Sequence, residues 1–222
     1  MYSYILSLVP GMNTFLFPGF VAICWDLFGM DALARAATIL NEADAVLIAA
    51  GAGMSVPSGI DYNDTKSFAT RCPGMVAHGF SHPYQLIGHP VFHDNPRLKW
   101  GYGGIHAKWM TTHGRGDATY ANLKKLVGAR PYFVLTSNAD GMFERNAYDK
   151  ARIYTPQGSY SLLQCMSPTC KHVWSSDLLI QQLNAPGAVD LATMEVVDSG
   201  LLPKCPNCAS ADVYFNLNGG SW

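Results

Sequence analysis

Ala45-Val46-Leu47-Ile48-Ala49-Ala50, followed at once by Gly51-Ala52-Gly53-Met54-Ser55, is the stretch on which the fold turns. Six consecutive small or apolar residues suit a short strand buried on both faces of a parallel sheet. Upstream, Asp31 can cap a helix whose apolar positions are Leu33, Ala36, Ala37 and Leu40. Helix, strand and glycine turn in that order open a doubly wound α/β sheet at its nucleotide site. Gly51 and Gly53 let a pyrophosphate approach the backbone, and Ser55 offers a hydroxyl. A following helix N-terminus would present free N–H groups to the anion. By itself the G-x-G-x-S pattern equally describes a tight strand-to-helix turn.

Working outward, Asp117, Tyr120, Leu123 and Val127 keep helical spacing, and Pro131 to Thr136 reads as a second buried strand. It ends at Ser137-Asn138-Ala139-Asp140-Gly141, polar residues at the carboxyl edge where open α/β sheets bind ligands. A third strand, Ile153-Tyr154-Thr155, leads into Pro156-Gln157-Gly158-Ser159. Asn138, Asp140 and Gln157 thus form one candidate constellation, in which only Asp140 titrates. A turn-capping role for Asp140 is the plainer alternative. Residues 56–116, rich in Gly and Pro, read as a long active-site loop with short helices. His78, His82, His89, His93, His106 and His113 fall there without metal-ligand spacing, which favours a solvated-loop reading.

Six cysteines include two close pairs, Cys165-x4-Cys170 and Cys205-x2-Cys208. Four thiolates close a tetrahedral zinc shell with no open position, so such a zinc is structural. His172 is an alternative fourth ligand, and Lys171 and Lys204 can offset negative charge. Cys24 and Cys72 read as small buried residues. This usage fits a reducing, intracellular compartment, cytoplasmic or organellar, better than a secreted disulfide scaffold. With 15 Lys+Arg against 16 Asp+Glu and 49% apolar residues, the chain is neither a disordered acidic segment nor a basic nucleic-acid binder. Met1 to Trp25 carries no charge, yet Pro10-Gly11, Asn13 and Pro18-Gly19 interrupt it, which argues against a membrane span.

These motifs, in this order, resemble the sirtuin family. Gly51-Ala52-Gly53-Met54-Ser55-Val56-Pro57-Ser58-Gly59-Ile60-Asp61 is similar to its GAGxSxxSGIPDFR segment. Thr136-Ser137-Asn138-Ala139-Asp140-Gly141-Met142-Phe143-Glu144-Arg145 is similar to its TQNIDGLHxR segment. Leu202-Pro203-Lys204-Cys205-Pro206-Asn207-Cys208 resembles its second zinc pair, and the likeness covers roughly residues 31–218. Gln157 stands where the family carries its catalytic histidine, the implied general base on the ribose 2′-hydroxyl. A carboxamide cannot take that proton. The Pro and Arg of the first motif are also lost, leaving Ile60-Asp61-Tyr62-Asn63. With Tyr154-Thr155-Pro156-Gln157-Gly158 and Leu162-Leu163-Gln164-Cys165, the chain most resembles the macrodomain-linked sirtuins.

That resemblance implies a Rossmann-like parallel sheet with a small zinc-binding module. The expected divisions are an apolar leader over 1–28, an NAD-binding domain over 29–160, a zinc module over 161–212 and a return to the first domain over 213–222. A full family member continues further, so the resemblance implies a sheet incomplete at its C-terminal end. It implies NAD and Zn2+ as cofactors. Gly51, Ala52, Gly53, Ser55, Gly59, Asp61, Tyr62, Asn138, Asp140 and Gln157 are the expected NAD residues, the last three catalytic. Cys165, Cys170, Cys205 and Cys208 are the expected zinc ligands. The implied activity is transfer of ADP-ribose to a protein, for which a lipoyl-carrier protein is the class's acceptor. The alternatives are an NAD-dependent deacylase using His78 or His113 as base, and a non-catalytic binding module.

Overall fold

The computed structural model describes residues 3–7, 30–113 and 116–218. In chain order its elements are β1 (Ser3–Ser7), α1 (Met30–Glu42), β2 (Ala45–Ala50), α2 (Thr65–Arg71), α3 (Pro73–Ala77), α4 (Pro96–Thr112), α5 (Ala118–Val127), β3 (Tyr132–Thr136), α6 (Met142–Arg145), β4 (Ile153–Tyr154), β5 (Gly158–Cys165), β6 (Val173–Ser175), α7 (Asp177–Leu183), β7 (Val189–Asp190), β8 (Glu195–Val196) and β9 (Val213–Leu217). They divide into two compact units. Of the described residues, the first takes 3–7, 30–59, 116–138 and 142–156; the second takes 60–113, 139–141 and 157–218.

The first unit is built on a parallel sheet in the order β1-β2-β3-β4. The expected strands at 45–50, 131–136 and 153–155 and the helices near 31 and 117 are all present, within a residue or two. Asp117 caps α5 by accepting from Thr119 N at 2.8 Å. Residues 3–7 of the expected apolar leader form a strand in register with β2, Ile5 opposite Leu47; residues 8–29 lie outside the described ones. One expectation fails. The sheet, read from sequence as buried on both faces, is covered on one face only among the described residues. Val46, Ile48, Val134 and Thr136 are buried, whereas Phe133, Leu135 and Tyr154 remain exposed. Leu33 on α1 is exposed too. From β3, Tyr132 meets Tyr148 edge to face at 5.6 Å, and Phe143 meets Tyr120 and Tyr148 in the same way, each at 5.0 Å.

The second unit joins a helical layer to a three-stranded antiparallel sheet in the order β6-β5-β9. Its core gathers Phe68, Cys72, Met75, Leu86, Phe92, Leu98, Tyr102 and Met194. The segment read from sequence as irregular with short helices in fact contains the 17-residue α4. Asn95 caps α4 by accepting from Leu98 N, and Pro96 occupies its first turn. Gly101, Gly103 and Gly104 obscure it in sequence, since each glycine costs a helix about 1 kcal/mol. Packing explains at least Gly101: a Cβ there would lie 2.0 Å from Met194 O, so the β7–β8 hairpin sits directly on the helix backbone. Among the described residues no helix is long and apolar enough to cross a membrane.

Candidate active site and metal centre

The candidate residues fall in both units. In the first, Gly51 directly follows β2 and Asn138 lies two residues past the end of β3, its neighbouring parallel strand. Two consecutive 3-10 turns, Ala52–Met54 and Val56–Ser58, follow Gly51. The helix expected there is thus of the 3-10 kind and only one turn long, with Gly51 at its N-cap. The reason is local: Met54 N donates to Gly51 O and Ser55 N to Ala52 O, and Pro57 then starts a second turn. Gly59 closes it at φ +87°, a conformation that favours glycine. Ala52 and Gly53 are exposed, leaving the turn open to a ligand.

Asn138 is buried and braces this turn. Its Nδ2 donates to Gly51 O at 2.9 Å and to Ser55 Oγ at 3.1 Å, while its backbone N donates to Thr136 Oγ1 at 3.1 Å. Ser55 Oγ also pairs with Tyr120 OH at 3.0 Å. Among the described residues no donor reaches Asn138 Oδ1, which leaves an acceptor for a ligand hydroxyl or a water. Ser58 Oγ, which sequence reasoning did not single out, is buried with no hydrogen-bond partner among the described residues. Such an atom in a turn of this kind is a sign of a missing polar partner.

In the second unit, Asp140 is buried and Gln157 exposed. Ala139 O accepts from Tyr160 N, tying the loop that carries Asp140 to β5. Gln157 O accepts from Asn218 N at 3.0 Å. Gly158 follows at φ +83°, where a Cβ would lie 2.0 Å from Asn216 O, so the turn presenting Gln157 is pressed against β9. Asp61 Oδ1 accepts from Asn63 N at 2.8 Å in a local turn. Tyr62 OH lies 3.5 Å from Tyr160 OH and donates to Met110 Sδ at 3.5 Å. Burial pushes its hydroxyl up to about 12.

A polar cluster that sequence reasoning missed adjoins Tyr62. His106 Nε2 is 3.2 Å from Tyr160 OH and its Nδ1 is 3.3 Å from Tyr102 OH. His106 was expected in a solvated loop; it is instead buried inside α4. Burial, and secondarily the Arg71 charge, pull its imidazole down to about 3, so it is neutral at pH 7. Tyr102 and His106 stand four residues apart, and that helical spacing was the available signal. His78 and His113 are exposed, and His113 Nδ1 contacts Trp109 O at 2.9 Å.

The four paired cysteines converge. Their sulfurs all lie within 4.8 Å of one another, with Cys165–Cys208 at 3.6 Å and Cys170–Cys205 at 3.7 Å. A tetrahedral zinc with bonds of about 2.3 Å sets neighbouring sulfurs about 3.8 Å apart. The donor set and spacing therefore fit a closed four-thiolate metal centre. Cys165 ends β5, and Cys205 and Cys208 sit in the turn before β9. Asn207 Nδ2 donates to Cys170 Sγ at 3.4 Å and, with the His172 backbone, pulls that thiol down to about 6. His172 instead stacks on Trp174 at 5.5 Å and is not in the cluster. Cys72 is buried as expected, its thiol pushed up to about 12; Cys24 lies outside the described residues.

No family model matches the chain. A probable bifunctional ADP-ribose hydrolase/ADP-ribosyltransferase of Fusarium oxysporum f. sp. cubense is 35% identical over 189 residues, 82% of this chain and 30% of that protein. A protein ADP-ribosyltransferase of Staphylococcus aureus is 28% identical over 176 residues, 77% of this chain and 52% of that protein. The chain thus spans about a third to a half of the length of these curated relatives. Among solved structures, a Sir2 homologue in complex with NAD superposes with a TM-score of 0.52 at 20% identity, covering 82% of this chain and 59% of that one. A variant Sir2 homologue in complex with 2′-O-acetyl ADP-ribose gives 0.54 at 18% identity, covering 84% and 64%. At these identities the structural likeness is one of fold.

Proposed function

We propose, for a chain that is sirtuin-like and carries the Sir2 fold, that it transfers ADP-ribose from NAD to a protein side chain. The macrodomain-linked branch is the one this reading favours, in keeping with the bifunctional name of the Fusarium relative. The observation that carries it is the residue at position 157, a glutamine where a deacylating sirtuin has its base. A carboxamide orients hydroxyls but accepts no proton near neutrality. The reaction left to such a site is direct substitution at the ribose.

When bound, NAD supplies the ADP-ribosyl group: its nicotinamide–ribose C–N bond breaks, nicotinamide leaves with the bonding pair, and an acceptor nucleophile bonds to the ribose and releases its proton to solvent. Gly51, Ala52 and Gly53 offer open backbone to the pyrophosphate, and Ser55 and Asn138 hold that turn in shape. Asn138 Oδ1 is available to orient a ribose hydroxyl. Asp140, a buried carboxylate, favours positive charge developing near it. Gly59, Asp61 and Tyr62 are the remaining residues proposed to contact the nucleotide. Cys165, Cys170, Cys205 and Cys208 would hold a structural Zn2+, which requires a reducing compartment.

The test uses the full chain, isotope-labelled NAD and a carrier protein with and without its lipoyl group. Label on the lipoylated carrier with stoichiometric nicotinamide release is the expected result. Deacetylation of an acetyl-lysine peptide without protein labelling would refute it. Asn138→Ala is expected to abolish turnover while leaving zinc content unchanged.

A further inference from the structure

A cavity of about 450 Å3 opens in the second unit, between the end of α2, the later half of α4 and the α7–β7 connection. That volume lies in the range of small-molecule sites. None of its lining residues is among those assigned above to NAD or zinc. Its lining is divided: Ile105, Leu183 and Leu191 supply apolar surface, and Arg71 and Lys108 supply charge, with no Asp or Glu on the wall.

Arg71 is the distinctive group. Its guanidinium lies over the buried Trp109 ring at 4.1 Å, and Nη1 donates to Ser67 Oγ at 2.7 Å. Neither ion pair among the described residues includes it. Burial lowers its ordinary value, and Cys72, Asp64 and Tyr102 only partly oppose that. Cys72 and Tyr102 are themselves neutral at pH 7, because burial pushes both upward. Asp64, the one full negative charge acting on it, caps α2 through Lys66 N and Ser67 N and reaches Arg71 only through Ser67 Oγ, which donates to Asp64 Oδ2. A half-buried fork of donors set over an indole, with no carboxylate in direct ion-pair contact among the described residues, matches a planar anion.

We propose that this cavity binds a small organic carboxylate, with the Arg71 fork on the carboxylate and the apolar wall of Ile105, Leu183 and Leu191 around a short hydrocarbon body. Lys108 adds attraction at the rim. The site would operate whether or not the chain transfers ADP-ribose.

Calorimetry on the full chain tests this with three probes: octanoate, octanol (the same chain uncharged) and acetate (the charge alone). Octanoate should bind, with octanol and acetate each at least about 10-fold weaker. Arg71→Met should weaken octanoate about 10- to 100-fold, the worth of charged hydrogen bonds, with far-UV circular dichroism unchanged. Arg71→Lys keeps the charge but loses the fork and should fall between. Leu191 is half exposed, so Leu191→Glu should fold even if the arginine variants do not, and it should weaken octanoate by a similar factor. No octanoate binding at millimolar concentration overturns the proposal. So does equal binding of octanol, or unchanged octanoate affinity in Leu191→Glu or in a folded Arg71→Met.

Discussion

The amide of Asn138, just past β3, braces the glycine turn that follows β2, and its loss has a calculable cost. Asn138→Ala removes the donor to Gly51 O at 2.9 Å and to Ser55 Oγ at 3.1 Å. Both acceptors keep one partner, Met54 N and Tyr120 OH respectively. Neither is therefore orphaned, and each lost bond is worth about 1 kcal/mol net. Together they amount to about 2 kcal/mol of local stability, or about 30-fold in the local opening equilibrium. Hydrogen–deuterium exchange reads this directly, because amides of a locally opening segment exchange in proportion to its opening. Residues 51–59 should exchange about 30-fold faster in the variant, with 160–165 in the second unit as an unchanged reference. Exchange within about threefold of the parent would refute the bracing. Turnover lost with exchange unchanged would make Asn138 a contact to substrate alone.

Three further outcomes follow from the second unit. Removing a thiolate with Cys205→Ala should lower bound zinc from one per chain to none by elemental mass spectrometry and lower the melting temperature, whereas His172→Ala, whose ring stacks on Trp174, should retain the metal. Gly158→Ala sets a Cβ 2.0 Å from Asn216 O at a positive φ, so β9 must move; a loss of about 2–4 kcal/mol on urea unfolding is expected, from backbone strain and overpacking. His106 is held neutral, near 3 when folded against about 6.5 unfolded, so between those values only the unfolded chain binds the proton. Stability is then present above pH 6.5 and falls as pH drops toward 3, by up to about 1.4 kcal/mol per pH unit; His106→Gln should flatten that part of the urea midpoint against pH.

Where short-range physics decides, the sequence was sufficient. The apolar run at 45–50 and the polar stops at Gly51 and Ser137 made neighbouring parallel strands, because apolar strands end where polarity begins. Two cysteine pairs announced a four-thiolate cluster, because each pair spans too few residues for its sulfurs to separate far. The carboxamide at 157 was legible as a chemical fact independent of geometry.

Other features waited on tertiary contacts. The helix α4 was hidden because Gly101 and Gly104 weaken its propensity in order to admit Met194 O and the Leu183 side chain, neighbours some 80 to 90 residues distant in sequence. His106 looked like one loop histidine among several until Tyr102 and Tyr160 closed around it. Arg71 gained its meaning only by lying on Trp109. Propensity, pattern and ligand chemistry are local and can be read along the chain. Burial, charge balance and close backbone approach depend on residues far apart in sequence, and only the folded chain brings those together.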